Sequence, residues 1–316
     1  MSFLLKNRAS VILYNFIRTY NDGIYLLPAN VCPIVPLVFS LANVEFEFVD
    51  INDTTLCIDE QIVLDKVSQD KLKYRGILFV RTYGYIYDTT PFFRELSYLN
   101  KELKIIDDRC LCFPDISQKE EINCDLVLYS TGHGKSVDFG IGGFGILSEQ
   151  NKINNYDLKY NKKIDIEKIY KEALDKNEKL KFIPKGWLDT SSYNIAIDEY
   201  FYKIEVELQK VKIHKERLNG IYRDLLPKTI VFPSEFQNWR FNICVKNKQL
   251  ILNEIFYSKL FASSHYKASN ILFNDMQYIN TNKLFGNIIN LFNDFYFTEE
   301  QAEMVCAIVN NCIDVD

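Results

Sequence analysis

Three short aliphatic runs, each closed by polar residues, constrain the fold of this 316-residue chain more than any other feature. They are GILFVRTYG at 76–84, LKIIDD at 103–108 and DLVLYS at 125–130. A strand with one wet face alternates apolar and polar residues; these runs do not, so both of their faces are covered. VEFEFVDI at 44–51 does alternate, and GIYLLPANVCPIVP at 23–36 reads as a short apolar strand broken by proline. Helical spacing separates the strands. Ile12, Leu13, Phe16 and Ile17 share one face, with Asn7 placed to cap that helix, and FRELSYLNKE at 93–102 reads as a second helix. Strands alternating with helices imply an α/β fold, a mostly parallel sheet sandwiched by helices. In such sheets ligands bind beyond the carboxyl ends of the strands. The chemistry is therefore expected at the three polar strand tips.

The later half of the sequence has a different texture. Residues 151–177 are rich in lysine, asparagine and aspartate and read as a surface insertion with some helix. A long helix is expected from about 193 to 226, with Tyr200, Ile204, Leu208, Val211 and Leu218 as its spine. TIVF, RFNICV and a helical tail after Thr298 suggest a smaller α+β unit. The expected division is a large domain over 1–210 and a small one over 211–316.

Composition narrows the function classes. With 47% hydrophobic and 14% aromatic residues the chain can bury a large core, which excludes general disorder. Thirty-seven basic against 42 acidic residues, a net charge of -5, lack the basic footprint of a nucleic-acid binder. The longest apolar stretch, 24–48, is interrupted by Pro28, Pro33, Pro36, Asn30, Asn43 and Glu45, so no membrane span is expected. Lys6, Asn7 and Arg8 split the first apolar run, which argues against a secretory leader. Eight cysteines without a C-x-x-C pair suit reduced thiols in a cytoplasm.

Residues 125–145, DLVLYSTGHGKSVDFGIGGFG, hold the densest chemistry. GHGKS ends as a phosphate-binding P-loop does, but the first glycine of that motif would fall at Tyr129. Cys110, Cys112 and His133 lack the spacing of a zinc module, and no metal site is expected. LKIIDD delivers two carboxylates to a strand end, where an aspartate needs a cationic partner; a salt bridge with Arg109 or helix capping is the simple explanation. Lys135, on the loop after the next strand, opens another. A pyridinium N–H suits such an aspartate and a lysine amine suits an aldehyde, the two requirements of pyridoxal phosphate. Ser130 and the start of the first helix, residues 7–10, could hold its phosphate, although simple capping also explains the helix start.

Taken in order, LLPANVCPIVPLVFSLANVEFEFVDIND, GILFVRTYGYIYD, LKIIDDRC and LVLYSTGHGKSVDFGIGGFG resemble the DegT/DnrJ/StrS-type sugar aminotransferases, pyridoxal-phosphate enzymes of fold type I. The resemblance implies that Lys135 forms the Schiff base and moves protons. It implies that Asp108 pairs with the pyridine nitrogen and that Ser130 binds phosphate with help from the Ala9 and Ser10 backbone. Tyr83 and Gly84 would line the same pocket. The implied reaction moves an amino group, from glutamate, to a nucleotide-linked keto-sugar for polysaccharide synthesis. The implied assembly is a cytoplasmic homodimer with small-molecule substrates and neither nucleic acid nor membrane as partner. Three departures stand out: Leu111 replaces the family's glutamine, Asn30 and Cys32 occupy the place of a ring-stacking aromatic, and the N-terminal arm is short. A non-catalytic relative, or one running another reaction on the same fold, is the alternative.

Overall fold

The computed structural model of the chain describes residues 1–117 and 123–313. Among these, seven strands form the large sheet: β1 (Ser2–Lys6), β2 (Ile24–Pro28), β3 (Phe46–Val49), β4 (Tyr74–Val80), β5 (Lys104–Asp108), β6 (Leu126–Ser130) and β7 (Gly143–Leu147). Their spatial order is β1-β7-β6-β5-β4-β2-β3. The pairings from β6 through β3 are parallel, whereas β7 runs against both of its neighbours. The three aliphatic runs are the central strands, as their unbroken apolar character requires.

Helices α1 (Ala9–Thr19), α2 (Ile34–Ala42), α3 (Glu60–Gln69) and α4 (Thr90–Leu99) connect the strands. Two-residue periodicity divides the side chains between two cores. Leu78, Val80, Ile106, Leu126 and Leu128 pack on one face with α1 and α2. Ile77, Phe79, Ile105, Val127 and Tyr129 pack on the other with α3 and α4. Helix α2 follows the proline-broken strand, where the sequence suggested no helix. Pro33 is its N-cap and Pro36 lies in its first turn, positions whose N–H groups have no intrahelical acceptor.

The lysine-rich segment is not merely a surface insertion. Helix α5 (Ile166–Lys176) buries Ile166, Tyr170 and Leu174, and Ile153, Tyr156 and Leu158 pack beside them on the first core. Asn15 accepts the Tyr156 N–H, so this segment covers α1 and buries that helix on nearly all sides. Most of the segment's sparse apolar residues reach the core in this way, whereas Tyr160 stays exposed.

The long helix α6 (Ile197–Leu225) serves both parts of the molecule. Tyr200 and Ile204 pack under the large sheet, and Leu218 and Tyr222 join the smaller core; Leu208 is only partly buried. That smaller core is closed by α7 (Lys248–Tyr257) and α9 (Glu299–Cys312) around an antiparallel sheet, while α8 (Ile279–Asn287) lies outside it and leads directly into a strand of that sheet. Its strands are β8 (Phe241–Cys244), β9 (Ala262–Ser263) and β10 (Ile288–Leu291), in the order β8-β10-β9. Thr298 starts α9 with a reciprocal capping box to Gln301. The two sheets are tied at the end of β3, where the Asp50 carboxylate accepts from the N–H groups of Asn280 and Thr281 at 2.9 and 3.0 Å and so caps α8. No helix among the described residues is long and apolar enough to cross a membrane.

Candidate active site

The parallel strands end at one edge of the sheet, and three features gather there on the same face. Residue alternation puts Asp108 on the face of Ile106, and Ser130 on that of Leu126 and Leu128, which is the face covered by α1. Because β7 runs backwards, its first residue, Gly143, lies at this edge too. A Cβ at Gly143 would sit 2.3 Å from the Ala9 nitrogen, so glycine lets the start of α1 rest directly on β7. The expected Asn7 cap is replaced. Arg8 is the N-cap with extended dihedrals, and no side chain caps the helix. Asn7 is drawn into the sheet edge instead: its carbonyl accepts the Gly142 N–H at 2.7 Å and its amide donates to Ser191.

The loop from β6 to β7 carries Lys135 and is pinned throughout. Asp138 accepts from the N–H groups of Gly134 at 2.7 Å and Gly140 at 2.8 Å. Thr131 Oγ1 donates to the Ile141 carbonyl and lies 2.7 Å from the Tyr200 hydroxyl. Ser130 Oγ accepts the Gly132 N–H at 3.2 Å. Trp239 Nε1 donates to the Gly134 carbonyl at 2.6 Å. The loop leads into a strand and not a helix, so the P-loop reading lacks the helix N-terminus on which its phosphate binding depends.

The adjacent carboxylates have opposite environments. Asp107 faces the second core and accepts from Arg81 Nε and Nη2 at 2.8 and 2.9 Å and from Arg109 Nη2 at 2.8 Å. Burial would raise its pKa, but Arg109 and Arg81 outweigh that and hold it below the usual carboxylate range. The salt bridge that could have explained LKIIDD therefore belongs to Asp107. Asp108 accepts the Cys110 N–H at 2.9 Å, and burial raises its pKa despite that bond and the field of Lys135. A buried carboxylate raised by desolvation is suited to receive a cationic N–H donor.

Asp108, Ser130, Lys135, Ala9 and Ser10 all line one cavity of about 420 Å³ at this edge. Tyr83 and Gly84 do not line it. Tyr83 adopts a left-handed φ of 54° and donates to the His265 carbonyl, and Gly84 packs against the Leu111 carbonyl. Leu111 joins their small apolar cluster with Trp239 and Phe236. Cys32 does line the cavity. Sequence reasoning missed the remaining wall: Glu167, Tyr170 and Lys171 on α5, and Trp239, Arg240, His265 and Tyr266 from the C-terminal part. The i,i+4 Glu167–Lys171 pair, 3.1 Å apart, was a visible signal of a helix face but not of a cavity. Burial, with Arg240 and Lys135 nearby, pulls His265 down to about 4 against the Asn290 contact, so it is neutral at pH 7. Among the described residues no group of three His, Cys, Asp or Glu side chains could hold a metal ion.

The residues fit pyridoxal phosphate: an amine and a raised carboxylate in a cavity of ordinary ligand size, beside a helix start that no side chain caps. No family model matches the chain, and no curated protein is significantly similar to it. Solved structures do match. Spr1654 from Streptococcus pneumoniae in its PMP form is 16% identical with a TM-score of 0.71, covering 99% of this chain and 88% of that one. A DegT DnrJ EryC1 StrS aminotransferase from Brucella abortus is 13% identical with a TM-score of 0.68, covering 100% and 87%. DesI, solved with its TDP-sugar product, is 12% identical with a TM-score of 0.73, covering 99% and 81%. The chain has the fold of the pyridoxal-phosphate-dependent sugar aminotransferases. At such identities the shared property is the fold, and the activity must be argued from the site.

Proposed function

We propose that this protein is a pyridoxal-phosphate-dependent aminotransferase that moves an amino group, from glutamate, to a keto-sugar carried on a nucleotide. The observation that carries the reading is the meeting of Lys135, Asp108, Ser130 and the start of α1 around one cavity. When bound, the cofactor supplies an electron sink for a carbanion at the substrate Cα. The chain supplies the rest. Asp108 would face the ring nitrogen and favour its protonated form, because a buried carboxylate gains most from a cationic partner. Ser130 Oγ and the backbone of Ala9 and Ser10 bind the phosphate, where the helix dipole favours negative charge. Lys135 would hold the cofactor through its aldehyde, and its Nζ would carry the proton at the substrate Cα; such general acid–base work contributes about 10²–10⁴ in rate.

The cavity wall also carries Arg8, Lys171 and Arg240, of which Lys171 pairs with Glu167 and Arg240 with Asp294, so Arg8 is the cation that favours an anionic substrate. DesI, with its TDP-sugar product, supports a nucleotide carrier by likeness of fold. A homodimer in the cytoplasm, serving polysaccharide synthesis, completes the proposal; eight free cysteines are in keeping with that reducing compartment.

Adding pyridoxal phosphate should give wild type an absorption band near the visible edge that Lys135→Ala lacks. L-glutamate should bleach the band, and a nucleotide keto-sugar should restore it. Identical spectra for wild type and variant would overturn the assignment. A band without any transfer to a keto-sugar would point to the non-catalytic alternative.

A further inference from the structure

Lys215, on α6, is 3% exposed, and its partners are unusual for a buried ammonium. Its Nζ donates to the Trp239 carbonyl at 2.7 Å and to Asn293 Oδ1 at 2.6 Å, both uncharged. The nearby Arg240 and Asp294 pair with each other and neither bonds Lys215. Burying an amine against neutral acceptors costs several kcal/mol, and an apolar side chain of similar length would avoid that cost. The arrangement therefore calls for something that only a long donor provides. Burial pulls the Lys215 pKa down to about 7, and even the neutral amine keeps two N–H groups for its two acceptors.

The turn that Lys215 holds is the one that grips the lysine loop. One helical turn further along α6, Asn219 donates to the Gln237 carbonyl at 3.3 Å, and Asn293 donates to Asn219 Oδ1 at 2.9 Å. The Trp239 ring lies parallel to the rings of Tyr83, at 6.3 Å and 4°, and Tyr266, at 6.4 Å and 14°. Its Nε1 then donates to the carbonyl of Gly134, the residue before Lys135. Gly134 has a φ of +71°, so this carbonyl marks a chain reversal, and releasing it leaves the peptide plane that joins Gly134 to Lys135 held only by the Lys135 N–H on the Gly132 carbonyl at 3.3 Å.

We propose that Lys215 is a positioning residue for Lys135, acting through Trp239 and Gly134 without touching cofactor or substrate. The part played by Lys135 rests on the function proposed above; the tie from α6 to its loop does not.

Two variants test it, Lys215→Met and Trp239→Phe; the second keeps an aromatic ring between Tyr83 and Tyr266 and removes the indole donor with part of the stacked area. Hydrogen exchange of the cofactor-free protein is read at the amides of Gly134 and Lys135. Both variants should exchange there about 10-fold faster than wild type, because loss of one hydrogen bond loosens the reversal that holds these amides on Asp138 and the Gly132 carbonyl, with α3 and α4 unchanged. Pyridoxal phosphate alone is then titrated against pH, and both variants should shift the midpoint of the visible band in the same direction. Unchanged loop exchange in either variant, or a uniform loss of protection over the whole molecule in both, would overturn the proposal. If Lys215→Met does not fold, Lys215→Gln is read at the same amides, and unchanged exchange there overturns the proposal. Faster loop exchange in a protein whose wild type shows no band would uphold the tie while refuting the cofactor role of Lys135.

Discussion

At the scale of single residues, the electrostatics of the site turn on which way a strand side chain points. Arg81 is 2% exposed and its Asp107 partner is fully buried, so removing one leaves the other poorly compensated. Arg81→Met should lower stability by about 3 kcal/mol, read from the shift of the denaturant midpoint. Asp108 behaves in the opposite sense. Its folded pKa is raised by burial, so the folded state binds this proton more readily than the unfolded chain. Stability from this group therefore falls as pH rises from the unfolded carboxylate range through the raised value. Cofactor-free Asp108→Asn should be more stable than wild type above that window and lose the advantage in acid. The same variant should lose about 10²–10³ in transferase rate, because the partner of the ring nitrogen is gone. A variant that is both less stable at neutral pH and fully active would contradict the assignment.

At the scale of elements, α1 and the lysine loop are built against β7. Gly143→Ala would drive a methyl into the Ala9 backbone and lift the helix start from the sheet. Cofactor affinity should fall by about 10-fold or more, measured by pyridoxal phosphate titration, because the phosphate would lose backbone N–H donors and the helix dipole. Element identity was largely readable in the sequence. The aliphatic runs at 76–84, 103–108 and 125–130 became β4, β5 and β6, and Thr298 capped the last helix. Element ends were less so. Asn7 has the right chemistry for a cap, but pairing at the sheet edge claimed its backbone and turned its side chain to Ser191. Helix α2 was hidden because two prolines read as breakers, although both sit where a helix tolerates them.

At the scale of the molecule, the cavity belongs to both sheets at once. Large-sheet residues form its floor, while Trp239, Arg240, His265 and Tyr266 close it from the C-terminal side. Asp50 capping α8 and Lys215 bonding the Trp239 turn hold the two parts in one arrangement. The buried Lys215 also makes that arrangement sensitive to pH. Its unfolded pKa is the ordinary 10.5 and its folded pKa about 7, so between these values the unfolded chain binds more protons and stability rises with pH. Relative to Lys215→Met, wild type should gain up to about 1.4 kcal/mol per pH unit over that window. Urea unfolding at pH 7, 8 and 9 would show this slope, and parallel curves for the two proteins would exclude it.

The order of strands and helices, the covered faces of the central sheet and the edge at which chemistry gathers all follow from local pattern, because burial imposes a period on each segment. Local pattern also singled out Lys135, Asp108 and Ser130. Alternation alone puts the two carboxylates of LKIIDD on opposite faces, but local pattern could not tell which of them the neighbouring Arg109 would pair with, or that Arg81 from the end of β4 would join it. Nor could it find Trp239, Tyr266 or Lys215, which stand 80 or more residues from Lys135 and meet its surroundings only through α6 and the second sheet. Such contacts are set by packing between distant segments, and packing leaves no periodic trace in the chain that makes it.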